Sequence, residues 1–182
     1  MVEALDRLDR SGKRLKVALF LDTTILNDED LTTPRGKDIF YTTIRDFYSR
    51  IPPRFWAAID GQPIVWLYDA QHVYAFDQST FDDVYARFQQ DFGGLRPWIV
   101  REWQWYTSKN AGPDRVLRSE GLYSWGAAPS GFNDDPRFTV AEVGPGFKNT
   151  QFGGPDRIDT PRRRRRPRWS PAASNTRASP SG

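Results

Sequence analysis

Short apolar runs alternate with amphipathic stretches from Arg14 to about Phe152. The first run, "LKVALFLDTT", closes on Asp22, and the second, "QPIVWLYDA", on Asp69. The third, "RPWIVREWQW", holds Glu102, and "GLYSWGAA" and "RFTVAEVGPGF" are the fourth and fifth. Between the first two, "GKDIFYTTIRDFYSRIPPRFWAAI" places Ile39, Phe40, Thr43, Ile44 and Phe47 at helical spacing before a Pro52-Pro53 break. Between the second and third, "DQSTFDDVYARFQQDFGG" predicts a helix that Thr80 caps with Asp83 three residues on. Its buried face is Phe81, Val84, Tyr85 and Phe88, and Gly93-Gly94 ends it. "VEALDRLDRSG" fits a helix leading into the first run, with Gly12 as its stop.

Strands apolar on both faces, separated by helices, predict parallel βα units in an α/β fold. Two architectures satisfy this pattern, a doubly wound sheet and a (β/α)8 barrel. No GxGxxG follows the first run, which disfavours a dinucleotide site. In a barrel, Asp22, Asp69 and Glu102 would all sit at the C-terminal strand ends, where barrel active sites lie. Each has an aromatic neighbour: Phe20, Tyr68, or Trp103 and Trp105. Ring faces stack on the C–H face of a pyranose, and carboxylates accept its hydroxyl hydrogens, so the combination suits sugars. Any one such Asp also reads as a helix cap, and most aromatic residues must be core.

Composition adjusts this picture at the chain ends. At 182 residues the default is one domain, and 7 Trp, 7 Tyr and 12 Phe suffice for a core. The net charge is +3, but the stretch from Arg157 onward carries +7, so residues 1–156 carry −4. The body therefore offers no basic face to nucleic acid, and only Arg162–Arg166, Arg168 and Trp169 could bind it. Cysteine is absent, which removes disulfides and thiolate chemistry. The charged start has no signal-peptide core, and no apolar run reaches the ~18 residues of a membrane span. His72 is the lone histidine, three residues after Asp69; with scattered carboxylates it does not make a metal site, and no GxSxG elbow accompanies it. "SGFNDDPRF" lacks the EF-hand spacing. Neither metal nor cofactor is expected.

The most specific stretch is "FTVAEVGPGFKNTQ". With "PIVWLYDA" and "GLYSWGAA" it resembles glycoside hydrolase family 99, the (β/α)8 barrels related to endo-α-mannosidases. A strand there ends in Val-Gly-Pro-Gly-aromatic followed by an Asp/Asn-Thr pair; Val143, Gly144, Pro145, Gly146, Phe147, Asn149 and Thr150 stand in those places. Tyr68 and Asp69 match an earlier Tyr-Asp strand end, and "LFLDTTILNDED" looks closer still to a less characterised bacterial branch. The resemblance covers roughly residues 3–160. It implies an incomplete barrel over 1–160, with about five parallel strands, and an Arg/Pro/Ser/Ala-rich tail over 161–182 expected to be disordered. The family's catalytic glutamates lie on a last strand that has no counterpart here. The tail composition is also what GC-rich coding sequence gives out of frame, so a gene break near Thr160 is expected.

The resemblance implies a domain acting on glycans, inactive alone; a non-catalytic carbohydrate-binding or scaffold domain is the alternative, and a nucleic-acid binder acting through the tail is disfavoured. Glu102 is the candidate catalytic acid, and an Arg101–Glu102 pair would hold it ionised. Asp22 and Asp69 are candidate hydroxyl ligands. Tyr68, Trp105, Tyr123, Trp125 and Phe147 are candidate stacking groups, and Gly144, Pro145 and Gly146 bring backbone toward the site. Relatives that digest glycans are often exported, so localisation stays open, as does completion of the barrel by another chain.

Overall fold

A computed structural model describes residues 1–107, 118–125, 132–133, 139–140 and 142–143. The first helix, α1 (Val2–Arg10), ends before Gly12, whose φ of +78° suits the turn that reverses the chain into strand β1 (Leu19–Leu21). A 3₁₀ turn, Thr23–Leu26, and the short β2 (Glu29–Asp30) lead to α2 (Pro34–Arg50). Pro34 at the first turn and the Thr33 side chain, which accepts from the Gly36 N–H at 3.1 Å, start α2. Pro52 and Pro53 lie just past its end and divert the chain into a second 3₁₀ turn, Pro53–Phe55.

Next come β3 (Ala58–Ile59) and β4 (Gln62–Leu67), an antiparallel pair joined through Asp60 and Gly61, both at positive φ. After β5 (Val73–Ala75), α3 (Gln78–Asp91) runs to Gly93-Gly94, again at positive φ. The described chain continues through β6 (Trp98–Glu102), the single turn α4 (Gln104–Thr107), β7 (Gly121–Tyr123), β8 (Phe132–Asn133) and β9 (Glu142–Val143).

The main sheet has the order β1-β4-β6-β7, all parallel, with β3 added antiparallel to β4. The protein is therefore an α/β domain built on a parallel sheet. Register places Leu21, Leu67, Arg101 and Leu122 on one face, and strand alternation adds Leu19, Val65 and Ile99. Onto this face α2 and α3 pack, burying Phe40, Ile44, Phe81, Val84 and Phe88 in one core with Leu21, Val65, Leu67 and Ile99. The opposite face carries Phe20, Trp66, Val100, Glu102, Gly121 and Tyr123.

Several expectations change in detail. The buried stripe of α2 is Gly36, Phe40, Tyr41, Ile44 and Tyr48, while Ile39 and Phe47 sit at its edge. Two tyrosines take the inner positions because their hydroxyls find carbonyls: Tyr41 donates to Arg87 O at 3.0 Å and Tyr48 to Ile64 O. The cap of α3 is Asp77, not Thr80. Asp77 accepts from the Thr80 N–H while the Thr80 hydroxyl accepts from the Asp77 N–H, a reciprocal capping box, and that hydroxyl also donates to Leu31 O. Four parallel strands, not five, form the described main sheet. The fifth run contributes β9, which pairs antiparallel with β8, although Thr139 and Val140 bond back to Leu122 O. The parallel pair β2–β5 lay outside the sequence pattern.

Gly36 marks the tightest junction. A Cβ there would lie 1.9 Å from Asp30 O, on the bend that delivers β2 into α2. Gly36→Ala is expected to destabilise the fold by about 1–3 kcal/mol, as overpacking against fixed backbone does. Urea denaturation checks this; a midpoint equal to wild type would mean the bend yields freely.

Candidate functional site

Parallel strands in unbroken order bring their C-terminal ends side by side. Asp22 follows β1, Tyr68 and Asp69 follow β4, Glu102 closes β6, and Trp125 follows β7. Each group is held by local structure. Asp22 caps the 3₁₀ turn and accepts from the Thr24 N–H at 3.0 Å, a bond that holds its carboxyl below the usual carboxylate range. Asp69 Oδ1 accepts from the Thr23 hydroxyl at 2.8 Å and from the Gln71 N–H at 3.2 Å, tying the β4 end to the β1 end.

Glu102 is 4% exposed. Its Oε2 accepts from the Gln104 N–H at 2.6 Å and its Oε1 from the Trp125 N–H at 3.2 Å. Burial pushes its carboxyl up; the main-chain N–H groups of Gln104, Trp125 and Trp103 pull against this, and the charge of Asp69 adds to it. The expected Arg101–Glu102 pair is corrected by strand alternation. Arg101 points to the helix face, where its Nε–H donates to Ser119 Oγ at 2.7 Å and its guanidinium lies 5.9 Å from the Phe81 ring centre. Glu102 is therefore shifted by burial rather than held ionised by arginine.

Three rings meet beside these carboxylates. Tyr68 lies 5.7 Å from Phe20 and 5.2 Å from Trp125, and Phe20 and Trp125 lie 5.9 Å apart, centre to centre. Phe20 is 48% and Trp125 58% exposed, so the cluster faces outward. Burial first, then the charges of Asp69, Asp22 and Glu102, push the Tyr68 phenol up and keep it a protonated donor. Phe20, noted in the sequence only as a neighbour of Asp22, proves to be the third ring. The signal for it was position: it alternates with Leu19 and Leu21 and so takes the face opposite the helices.

Trp105 and Tyr123 do not join this cluster. Trp105 is fully buried among Phe40, Phe76 and Phe81, with its Nε1–H donating to Tyr68 O at 2.9 Å. Tyr123 is buried against Trp66 and donates to Leu67 O at 3.1 Å. Both are corrected from stacking groups to supports beneath the site. Gly144, Pro145, Gly146 and Phe147, like Arg162–Arg168 and Trp169, lie outside the described residues.

Among the described residues, no group of three or more His, Asp or Glu side chains could hold a metal ion. His72 Nδ1 lies 3.8 Å from Asp28 Oδ1. A cleft of about 270 Å³, lined by Asp9, Arg14, Leu15, Lys16, Arg54 and Phe55, lies before the start of β1, away from the carboxylates. No described helix is long and apolar enough to cross a membrane.

Fold and site together define an α/β domain whose parallel strands end in an outward aromatic cluster flanked by carboxylates. The chain belongs to the family described as Domain of unknown function (DUF5010), which matches residues 1–167. No curated protein and no solved structure matches it.

Proposed function

We propose that this domain binds glycans at the C-terminal ends of its parallel strands, as part of a (β/α)8 barrel of the glycoside hydrolase type. The observation that carries the proposal is the Phe20–Tyr68–Trp125 cluster, exposed and beside Asp22, Asp69 and Glu102. Exposed rings that pack on one another form a platform for the apolar face of a pyranose, and neighbouring carboxylates accept its hydroxyl hydrogens. The barrel component rests on strand order. A doubly wound sheet reverses order and carries helices on both faces, whereas β1-β4-β6-β7 is sequential, with α2 and α3 packed on one face. That arrangement leaves the other face to become a barrel interior.

Binding without cleavage is the second reading, and the geometry of Glu102 favours it. A glycosidase acid must present a proton to the glycosidic oxygen. Both oxygens of Glu102 instead accept main-chain N–H groups, and Asp69 Oδ1 holds Thr23 and Gln71. The described carboxylates are thus suited to holding a sugar rather than cutting it.

Fluorescence titration with α-mannotetraose and maltotetraose, run beside hydrolysis assays on aryl α-mannosides and α-glucosides, tests the proposal. Saccharide binding is expected, with Trp125→Ala weakening it about tenfold, the scale of one exposed aromatic anchor. Binding without turnover supports the second reading, and turnover the hydrolase. A chain that neither binds nor cleaves any of these sugars overturns both.

A further inference from the structure

Glu102 touches more of this site than a single acid needs to. Its Oε1 receives the N–H of Trp125, the most exposed ring of the cluster. Its Oε2 receives the N–H of Gln104, the first residue of α4. The next residue, Trp105, sends its indole N–H to the carbonyl of Tyr68, the ring in contact with both others. One buried carboxylate thus fixes Trp125 directly and Tyr68 through α4, across the ends of three strands.

We infer that Glu102 is a positioning residue, a two-ended acceptor that locks Trp125 and Tyr68 into one rigid aromatic platform. The inference rests on the glycan-binding reading for its purpose but not for its geometry. An ionised carboxylate is the only side chain of this length that can accept at both ends. Glutamine turns an NH₂ toward one of the two N–H groups, and aspartate is one methylene too short to span them. Protonation has the same effect as glutamine, because one oxygen becomes a donor.

The lock is therefore pH-sensitive on the acid side. Burial pushes the Glu102 carboxyl up, so it takes a proton before Asp22, which is shifted the opposite way, as pH falls. Among the described residues, the charged and titratable groups around Glu102 are Asp69, whose charge acts on it directly, and Tyr68, on whose phenol Asp22, Asp69 and Glu102 all act. Arg101 faces the helices, and α4 presents no charged side chain at Gln104 or Trp105.

The test uses the full chain labelled with 5-fluorotryptophan, with the Trp125 ¹⁹F resonance assigned by Trp125→Phe. In wild type this resonance is expected to be sharp at neutral pH and to shift and broaden as pH falls toward the ordinary carboxyl range. In Glu102→Gln it is expected in the released position already at neutral pH, with no further acid change. In parallel, Glu102→Gln should weaken α-mannotetraose binding about tenfold, the scale of one lost charge-assisted hydrogen bond. A Trp125 resonance identical in the two proteins overturns the inference. Should Glu102→Gln fail to fold, the wild-type titration decides, and an acid-insensitive Trp125 resonance overturns it equally. If Trp125→Ala loses sugar while Glu102→Gln keeps wild-type affinity, the positioning role fails and the glycan reading stands. If the resonance responds but no sugar binds, the lock stands and the glycan reading fails.

Discussion

Trp105→Ala is expected to cost about 3–5 kcal/mol, the range for emptying a buried tryptophan site. The ring is 0% exposed and lies 4.8 Å from Phe76, 5.8 Å from Phe81 and 6.0 Å from Phe40, centre to centre. Phe40 comes from α2, Phe81 from α3 and Phe76 from the end of β5, so three elements lose a shared partner together. The deletion also strands the Tyr68 carbonyl, which now accepts the indole N–H at 2.9 Å. Domains of this kind are stable by about 5–15 kcal/mol in total, so the loss is about a fifth of the stability or more. Trp105→Phe should cost less, since it keeps most of the packing and loses the donor. Trp125→Ala, with a ring 58% exposed, should change stability by no more than about 0.5 kcal/mol. Urea denaturation followed by near-ultraviolet circular dichroism separates these outcomes. A Trp105→Ala loss below about 1 kcal/mol would show that the ring is not the centre of this core.

That contrast also shows how far sequence reading reached. Helices and strand runs were legible because their apolar residues repeat at 3.6 or in short blocks, and the breaks at Gly12, Pro52-Pro53 and Gly93-Gly94 are local chemistry. Asp22, Asp69 and Glu102 could be placed at strand ends because a parallel order leaves all C-terminal ends on one side. Trp105 and Trp125 could not be told apart, because each is an aromatic two or three positions past a strand. What separates them is the turn α4, which swings Trp105 into the helix-side core while Trp125 stays on the outward face. The inner face of α2 was displaced by one position because a buried tyrosine is stable only if its hydroxyl finds an acceptor, and Arg87 O and Ile64 O lie 46 and 16 residues away. The role of Arg101 was misread because a strand sends consecutive side chains to opposite faces. The parallel pair β2–β5 escaped notice because two polar residues, Glu29 and Asp30, carry no hydrophobic alternation.

Buried tyrosines also set the alkaline limit of the fold. Tyr48 and Tyr85 are buried, with hydroxyls donating to Ile64 O and to Glu120 Oε2, the latter at 2.7 Å. Burial pushes both phenols well above their ordinary value near 10. At Tyr85 the Glu120 carboxylate pushes the same way, while the Arg96 guanidinium, 3.8 Å from the ring centre, opposes it. The folded state therefore binds more protons than the unfolded chain once pH passes 10. Stability is undiminished below that value and falls as pH rises from there toward the folded-state values. Each phenol contributes a slope of about 1.4 kcal/mol per pH unit, so the pair gives about 2.7 kcal/mol per unit. Tyr41 is shifted in the same direction, by burial and then by Asp91, and steepens the decline. Against a total of about 5–15 kcal/mol, two pH units of that slope bring the domain close to unfolding. Urea midpoints measured from pH 8 to pH 12, with phenolate absorbance followed alongside, should show a flat region, then a steep fall, with the buried phenols ionising only on unfolding. Tyr48→Phe should lower stability at pH 8 by about 1 kcal/mol, for the lost hydrogen bond, and make the alkaline decline shallower. A midpoint unchanged up to pH 11.5 would mean that these phenols reach solvent without unfolding and that the helix–sheet core is looser than its packing implies.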